Sequence, residues 1–226
     1  MDLVIFDIDG TLIHSYQKEA DCYEEALKNV MGISHIDKDL SLYQHVSDHG
    51  IANEIIMRAC QRPATDDEQF AIENEFIRLF KESLAKTPLT RIPGVQALLS
   101  HLTQEPTIAL AIATGCYHRS ALLKFEHAEL PLKHLPIGSS NDSPIRTNIM
   151  QAAHAKAKSA YGIEQFDSIT YIGDGPWDVR AVKELQWDFI GIASNYSHDT
   201  LTQLGAQNVV QDYSCLKTFC DYLFTG

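Results

Sequence analysis

The sequence predicts an α/β fold, in which a parallel β-sheet is flanked by helices and a helical segment is inserted after the first strand. Two observations support this prediction. Short apolar runs recur along the chain, and each is followed by a polar turn and then by apolar residues at helical spacing, the order typical of parallel sheets. The segment 15–91 interrupts this order, because it shows helical spacing and no convincing strand.

Five apolar runs have the length and composition of buried parallel strands. They are Leu3–Phe6, Ile108–Ala113, Ile169–Ile172, Phe189–Ala193 and, more weakly, Asn208–Val210. After the third run, Pro176 suits the first turn of a helix whose apolar stripe is Val179, Val182 and Leu185. We expect the last helix to begin at Asp212 as its N-cap, with one apolar face made of Leu216, Phe219, Cys220 and Leu223.

Three apolar stripes predict three helices in the inserted segment. Their members are Ala20, Tyr23, Leu27 and Val30, then Ile51, Ile55, Ile56 and Ala59, and finally Phe70, Ile77, Phe80 and Leu84. The sheet resumes after Ile92-Pro93-Gly94. We therefore divide the chain into a core of residues 1–14 and 92–226 and an all-helical domain of residues 15–91.

The composition is that of an ordinary globular protein with an acidic surface. The chain has 226 residues, 45% of them apolar, and its 18 Lys and Arg against 30 Asp and Glu give a net charge of −12. Such a surface repels phosphate backbones and anionic lipids, so we expect neither a nucleic-acid nor a membrane partner. No apolar run approaches the ~20 residues of a membrane span, and we recognise no signal peptide. Five cysteines without CxxC spacing predict reduced thiols in a cytoplasmic protein.

Reactive side chains follow three of the predicted strands. Asp7 and Asp9 follow the first run, Thr114-Gly115 follows the second, and Asp174 and Asp178 follow the third. In open parallel sheets ligands bind beyond the carboxyl ends of the strands, so we expect these groups at one rim. Four carboxylates there would repel one another unless some were protonated or a cation lay among them. Hard oxygen ligands at a small site favour Mg²⁺ as that cation.

Each of these groups alone is more often a turn residue or a helix cap than a catalytic group. The combination of Asp7-x-Asp9-Gly10-Thr11-Leu12 with Gly173-Asp174-x-x-x-Asp178 is far more specific. On these motifs the sequence resembles the haloacid dehalogenase superfamily of phosphohydrolases, in its phosphoglycolate phosphatase-like branch with a helical cap. The resemblance covers essentially the whole chain and is weakest in the cap. It implies a Rossmann-like core and identifies the segment 15–91 as the cap.

The resemblance also implies a role for each group. Asp7 would be the nucleophile that forms an aspartyl-phosphate, and Asp9 would be the general acid and then the base that activates water. The phosphoryl group would be bound by residues of two loops, Thr11, Thr114 and Gly115. Magnesium would be held by Asp7, the backbone carbonyl of Asp9, Asp174 and, as a ligand or a support, Asp178.

The family usually has a lysine between the second and third strand motifs, near the start of a helix. The matching segment here is Ser139–Asn148, and its only cation is Arg146. We therefore assign Arg146, in preference to Lys156 and Lys158, to hold Asp7 and the phosphoryl group. Arginine is not a proton donor at neutral pH, so its role would be electrostatic and orienting. The alternative is an exposed arginine near a helix N-terminus.

The loop His45–Gly50 precedes the second predicted helix of the cap, where the resemblance places a substrate-selecting loop. We expect His45 and Asp48 to contact the leaving group, and the alternative is a solvated turn. Cys116 follows the phosphate-binding loop without a nearby relay that would make it a nucleophile, so we expect it to pack.

Three functions are compatible with these residues. The motifs favour a magnesium-dependent phosphatase of a small phosphorylated metabolite, acting as a monomer or a homodimer. A sugar phosphomutase would use the same nucleophile and return the phosphoryl group to a sugar. A non-catalytic binding or regulatory protein could keep the fold, although intact Asp7, Asp9, Thr114 and Asp174 argue against it. Asp9 also argues against dehalogenation, because a halide leaves without a proton.

Overall fold

The computed structural model describes residues 1–224, and a six-stranded sheet forms its centre. The strands are β1 (Asp2–Phe6), β2 (Ile13–His14), β3 (Thr90–Arg91), β4 (Ile108–Ala113), β5 (Ile137–Gly138), β6 (Ile169–Gly173), β7 (Asp188–Ile192) and β8 (Asn208–Val210). Apart from β2 and β3, they form one sheet in the order β5-β4-β1-β6-β7-β8 with every pairing parallel. The predicted α/β fold is therefore confirmed.

Helices follow the strands as the sequence predicts. They are α1 (Tyr16–Met31), α2 (Asp48–Cys60), α3 (Asp66–Lys86), α4 (Val95–Leu102), α5 (His118–His127), α6 (Arg146–Tyr161), α7 (Pro176–Leu185), α8 (His198–Gln203) and α9 (Leu216–Phe224). Pro176 opens α7, where its missing N–H costs no helical hydrogen bond.

The strand β1 is held from both faces of the sheet. Val4 and Phe6 belong to a core cluster that continues into the inserted helices, whereas Leu3 and Ile5 pack in a second cluster with residues of α6 and α7. All four side chains are almost fully buried, and burying an apolar side chain of this size contributes about 1.5–3 kcal/mol. The end of β1, where Asp7 follows, is consequently a well-fixed position.

The helices α1, α2 and α3 occupy the inserted segment, together with a short 3₁₀ turn at Leu40–Leu42. A capping box starts α3, because the Thr65 hydroxyl accepts from the Glu68 N–H while the Glu68 carboxylate accepts from the Thr65 N–H. Tyr23 of α1 meets Phe76 of α3 edge-on, with ring centroids 5.9 Å apart. The chain leaves and re-enters the core through β2 and β3, which pair antiparallel. The bounds of a cap domain at residues 15 and 91 stay a prediction.

Several local predictions are wrong. The strand β3 lies in the segment where we expected no strand, and β5 has no counterpart among the predicted runs, because two residues are too short to show a period. The last helix begins at Leu216, since the Asp212 carboxylate accepts the Ser214 N–H and forms a turn instead. Phe70 of the predicted apolar stripe is 66% exposed. Helical spacing shows which face of α3 is apolar, but it does not show how far along the helix other residues cover that face.

Within residues 1–224, no helix combines the length and the apolar character needed to cross a bilayer. All five cysteines lie in this range as free thiols.

Candidate active site

The centre of the sheet brings three predicted groups together. The strand β1 lies between β4 and β6, so Asp7, Thr114 and Asp174 emerge from adjacent carboxyl ends. Hydrogen bonds continue the ladder into the loops, since the Asp7 N–H donates to the Ile172 carbonyl at 2.9 Å and the Thr114 N–H to the Gly138 carbonyl at 3.0 Å. The site is therefore built on backbone that the sheet itself orients.

Gly10 allows the first loop to turn close to Asp174. Its φ is +78°, in the left-handed region that residues with a Cβ rarely adopt. A Cβ at this position would overlap the Asp174 carboxylate and the Asn195 amide. The glycine of the first motif is thus a steric requirement of the site.

Three buried carboxylates form a cluster at this rim. One oxygen from each of Asp7, Asp174 and Asp178 lies within 4.8 Å of the other two. Burial, with the nearby carboxylates Asp178 and Asp9, raises the pKa of Asp7 to about 7, although Arg146 opposes this. Burial, reinforced by Asp7 and Asp178, also holds the pKa of Asp174 well above its usual range. A cation among these oxygens would relieve the repulsion, so this donor set could hold a metal ion.

Arg146 joins this cluster from the first position of α6. Its Nε donates to Asp178 Oδ1 at 2.9 Å, and its Nη2 lies 2.8 Å from the same oxygen and 3.6 Å from Asp7 Oδ1. The side chain is 9% exposed, and among residues 1–224 its buried Nη1 finds no hydrogen-bond partner. Lys156 instead contacts the Ile137 carbonyl and Asp142. Arg146 therefore presents a free donor beside Asp7.

Asp178 fixes the position of Arg146 through a network of buried hydrogen bonds. Besides Arg146, its carboxylate accepts the Gly175 N–H at 3.0 Å and the Tyr171 hydroxyl at 3.3 Å, and the residue is fully buried. Its oxygens are already well supplied with donors, an arrangement that orients Arg146 toward Asp7.

Asp9 points to a different set of partners. Both of its carboxylate oxygens lie 2.6 Å from Lys124 Nζ, and the Ser15 hydroxyl donates to Oδ1. Lys124, from the middle of α5, is fully buried and also lies 2.5 Å from Glu19 Oε1 of α1. Burial alone would lower the pKa of Lys124, but the surrounding anions, led by Asp9, raise it well above its usual value. The Lys124 ammonium group thus joins Asp9 to Glu19 of the inserted segment.

A cavity of about 380 Å³ opens onto these groups. Its core side is lined by six of the predicted residues, Asp7, Asp9, Thr114, Gly115, Arg146 and Asp174. Its other side is lined by the inserted segment, including Asp48 and the rings of Tyr16, Tyr23, Tyr43 and Phe76. The inserted helices therefore cover the rim that bears Asp7.

The loop His45–Gly50 is attached to the core. The Asp48 N–H donates to the Gly115 carbonyl at 2.8 Å, and Asp48 Oδ2 accepts the Tyr117 N–H at 2.7 Å. Gly115 permits this approach, because a Cβ there would lie 2.7 Å from the Val46 carbonyl oxygen. Burial is the main reason that the pKa of Asp48 rises to about 7.

Two predicted contact residues are placed elsewhere. His45 is not among the described residues that line the cavity, and its N–H donates to Glu54. Thr11 is fully buried and likewise absent from that lining, while its carbonyl accepts the Tyr213 hydroxyl. Both hydrogen bonds involve backbone atoms of His45 and Thr11, so a role of the two side chains at the site stays a prediction.

Sequence reasoning missed Asn195, Lys124 and Glu19. Asn195 Nδ2 donates to Asp174 Oδ2 at 2.8 Å. It follows β7, so the strand-end rule could have found it. Lys124 and Glu19 lie inside helices with no motif around them, and only the three-dimensional packing shows their pairing. Burial raises the pKa of the Cys116 thiol, in keeping with a packing role.

The family model for haloacid dehalogenase-like hydrolases matches residues 1–186. The chain belongs to this family, and its enzyme class is hydrolase.

Solved structures share the fold at low sequence identity. A hydrolase from Pseudomonas syringae is 22% identical, covers 98% of both chains and superposes with a TM-score of 0.75. A predicted phosphoglycolate phosphatase from Haemophilus somnus is 18% identical, with 96% of this chain and 97% of that chain covered and a TM-score of 0.68. CbbY from Rhodobacter sphaeroides, in complex with xylulose-1,5-bisphosphate, is 14% identical, covers 95% of both chains and has a TM-score of 0.72. A search of curated proteins found no match.

Proposed function

We propose that this protein is a magnesium-dependent phosphatase of a small phosphorylated metabolite, with an aspartyl-phosphate intermediate on Asp7. The observation that carries the proposal is the group of charged residues at the core side of the cavity. The buried Asp7 carboxylate lies beside those of Asp174 and Asp178, which could share a metal with it, and the buried Arg146 offers an unpaired N–H. Anionic nucleophile and anionic phosphate can meet only where positive charge offsets both.

The chain's own residues divide the chemistry. Asp7 attacks phosphorus, while Arg146 Nη1 and the Thr114–Gly115 loop bind the phosphoryl oxygens. Asp9 starts protonated and gives its proton to the leaving oxygen as the bond from that oxygen to phosphorus breaks. As a carboxylate it then removes a proton from the water that attacks phosphorus, which breaks the bond to Asp7 and releases phosphate. Because both oxygens of Asp9 contact Lys124, Asp9 must give up one of these contacts to reach the leaving oxygen.

The donor set fits Mg²⁺, because it consists of hard carboxylate oxygens at a buried position. Asp7 and Asp174 would hold the ion, with the Asp9 carbonyl as a third ligand and Asp178 as the support that orients Arg146. The ion would supply positive charge for the attacking carboxylate and the phosphoryl oxygens.

The cavity favours a small substrate. A volume of about 380 Å³ falls in the range of sites that enclose single metabolites. The inserted helices cover the site, so phosphoproteins and nucleic acids would have poor access. Five free thiols agree with a cytoplasmic location.

The test is the release of inorganic phosphate from a panel of small phosphate esters, with and without Mg²⁺. Asp7→Asn should lower turnover by several orders of magnitude without loss of stability, because it removes one of three clustered negative charges. Full activity in a folded Asp7→Asn protein, or in excess chelator, would overturn the proposal. A phosphorylated product instead of free phosphate would identify the mutase.

A further inference from the structure

We propose that the leaving group of the substrate bears a protonated amine, so that the substrate is the phosphomonoester of an amino alcohol. This inference rests on the proposed phosphatase function and names the substrate class of the same site. It follows from the charges, the ion pairs and the aromatic rings that line the cavity away from Asp7.

The inserted segment lines the cavity with more anions than cations. Its lining carboxylates are Glu19, Asp37, Asp39 and Asp48, and its lining cation is Lys38. Lys38 is already committed, because its Nζ lies 2.9 Å from Asp21 and 3.2 Å from Glu24. A second anionic group on the substrate would therefore meet carboxylates without a free cation on this side.

Three of these carboxylates have no cationic partner. Glu19 pairs with Lys124, but within residues 1–224 no lysine, arginine or histidine forms an ion pair with Asp37, Asp39 or Asp48. Asp37 accepts the Asp39 N–H and Asp48 accepts the Tyr117 N–H, both of which are neutral donors. A cationic group entering this part of the cavity would be the first to pair with them.

Aromatic rings also line this cavity. Besides Tyr16, Tyr23, Tyr43 and Phe76, the lining includes Trp177 and Tyr196, whose rings meet edge-on at 5.7 Å. Aromatic faces attract ammonium and guanidinium groups. The Tyr43 ring already lies 5.0 Å from the Arg58 guanidinium carbon.

The opposite end of the cavity points to an anion. Arg146 Nη1 is buried there and is without a hydrogen-bond partner among the described residues. This independent observation orients the substrate, since the phosphoryl group goes to Arg146 and the leaving group is directed toward the inserted helices. A substrate with an anion at one end and a cation at the other complements both ends.

Three esters of nearly equal size test the inference, because they differ in the charge at the far end. They are 2-aminoethyl phosphate, 2-hydroxyethyl phosphate and 2-phosphoglycolate, which carry a cationic, a neutral and an anionic group. We expect kcat/KM to fall in that order, with about tenfold or more between the first and the last, since one desolvated cation–aromatic contact contributes a factor of this order.

Asp48→Asn should narrow the preference for the amine over the neutral ester, because it removes an unpaired lining carboxylate. Glu164→Gln is the matched control, since Glu164 is exposed and does not line the cavity. This control should keep the wild-type ratio of kcat/KM between 2-aminoethyl phosphate and 2-hydroxyethyl phosphate. An unchanged ratio in Asp48→Asn, or 2-phosphoglycolate as the best ester, would overturn the inference.

Two further measurements test the proposed phosphatase function independently of the amine preference. Acetyl phosphate needs no contact with the inserted helices, so its hydrolysis with Mg²⁺ reports on the core chemistry alone. Binding of the three esters to Asp7→Asn protein, measured by calorimetry with Mg²⁺, reports on charge preference without turnover. Hydrolysis of acetyl phosphate with the reverse binding order would leave the phosphatase and overturn the amine. If acetyl phosphate were not hydrolysed but the three esters bound in the expected order, the phosphatase proposal would be overturned and the amine preference would stand.

Discussion

Replacing Lys124 with methionine should strongly destabilise the protein. The Lys124 side chain is fully buried, and its ammonium group lies within 2.6 Å of both Asp9 and Glu19, whose side chains are only 21% and 16% exposed. Methionine has nearly the same length but no charge. Lys124→Met therefore keeps the volume of the side chain and leaves two carboxylates facing each other without a cation.

The expected magnitude follows from that geometry. Removing one partner of a buried ion pair costs about 3–5 kcal/mol, because the remaining charge is desolvated and unpaired. In a chain of this length each kcal/mol lowers Tm by roughly 2–4 °C. The melting temperature of Lys124→Met should thus fall by roughly 6–20 °C.

Thermal melting and urea titration at neutral pH would measure the loss. Lys156→Met is the control, because Lys156 also pairs with an aspartate, Asp142, but is 44% exposed, and exposed ion pairs contribute little. Adding Glu19→Gln to Lys124→Met should restore part of the stability, since it removes one of the two unpaired carboxylates. A Lys124→Met protein as stable as Lys156→Met would refute this reasoning.

Two further outcomes can be measured. In steady-state assays Arg146→Ala should lose most activity. Arg146→Lys should keep part of it, because lysine retains the charge without the guanidinium fork that contacts Asp178 and Asp7. A stronger loss in Lys156→Ala would contradict the assignment of Arg146 as the basic residue of the site. Burial raises the pKa of Asp48 to about 7, so the folded state holds this proton more tightly than the unfolded chain does. The resulting stabilisation is present at acidic pH and is lost as the pH rises through about 7. Urea titrations should therefore show that Asp48→Asn loses less stability than the wild type between pH 5 and pH 8, and equal losses would contradict the shift.

The sequence predicts most of the sheet because its strands are buried on both faces. Runs such as Leu3–Phe6 and Ile108–Ala113 are continuous and apolar, and their alternate side chains fill the two core clusters. The two-residue strands β2, β3 and β5 leave no such pattern, because pairing over two residues is determined by neighbouring structure.

The site residues that could be predicted are those that sequence patterns mark, and the others depend on the folded structure. Asp7, Thr114 and Asp174 could be placed because the ends of parallel strands meet at one rim. Arg146 could be placed because the family resemblance implies a basic residue near the start of a helix in this part of the chain, and Arg146 is the only cation of the segment Ser139–Asn148. Lys124 could not be placed, since a lysine inside an amphipathic helix is normally solvated. Its burial depends on Asp9, in the loop after β1, and on Glu19 of α1, which only the fold brings near.

The position of β1 at the middle of the sheet affects how the chain is synthesised. The ribosome makes the two neighbours of β1 long after β1 itself, since β1 pairs with residues 108–112 on one side and 169–172 on the other. At roughly 5–20 residues per second, the second neighbour emerges roughly 10–30 s after β1. During that interval the nascent chain exposes the apolar segment Leu3–Phe6 with at least one unpaired edge. The strand that precedes Asp7 is thus also a segment of the growing polypeptide that a chaperone could bind before the sheet is complete.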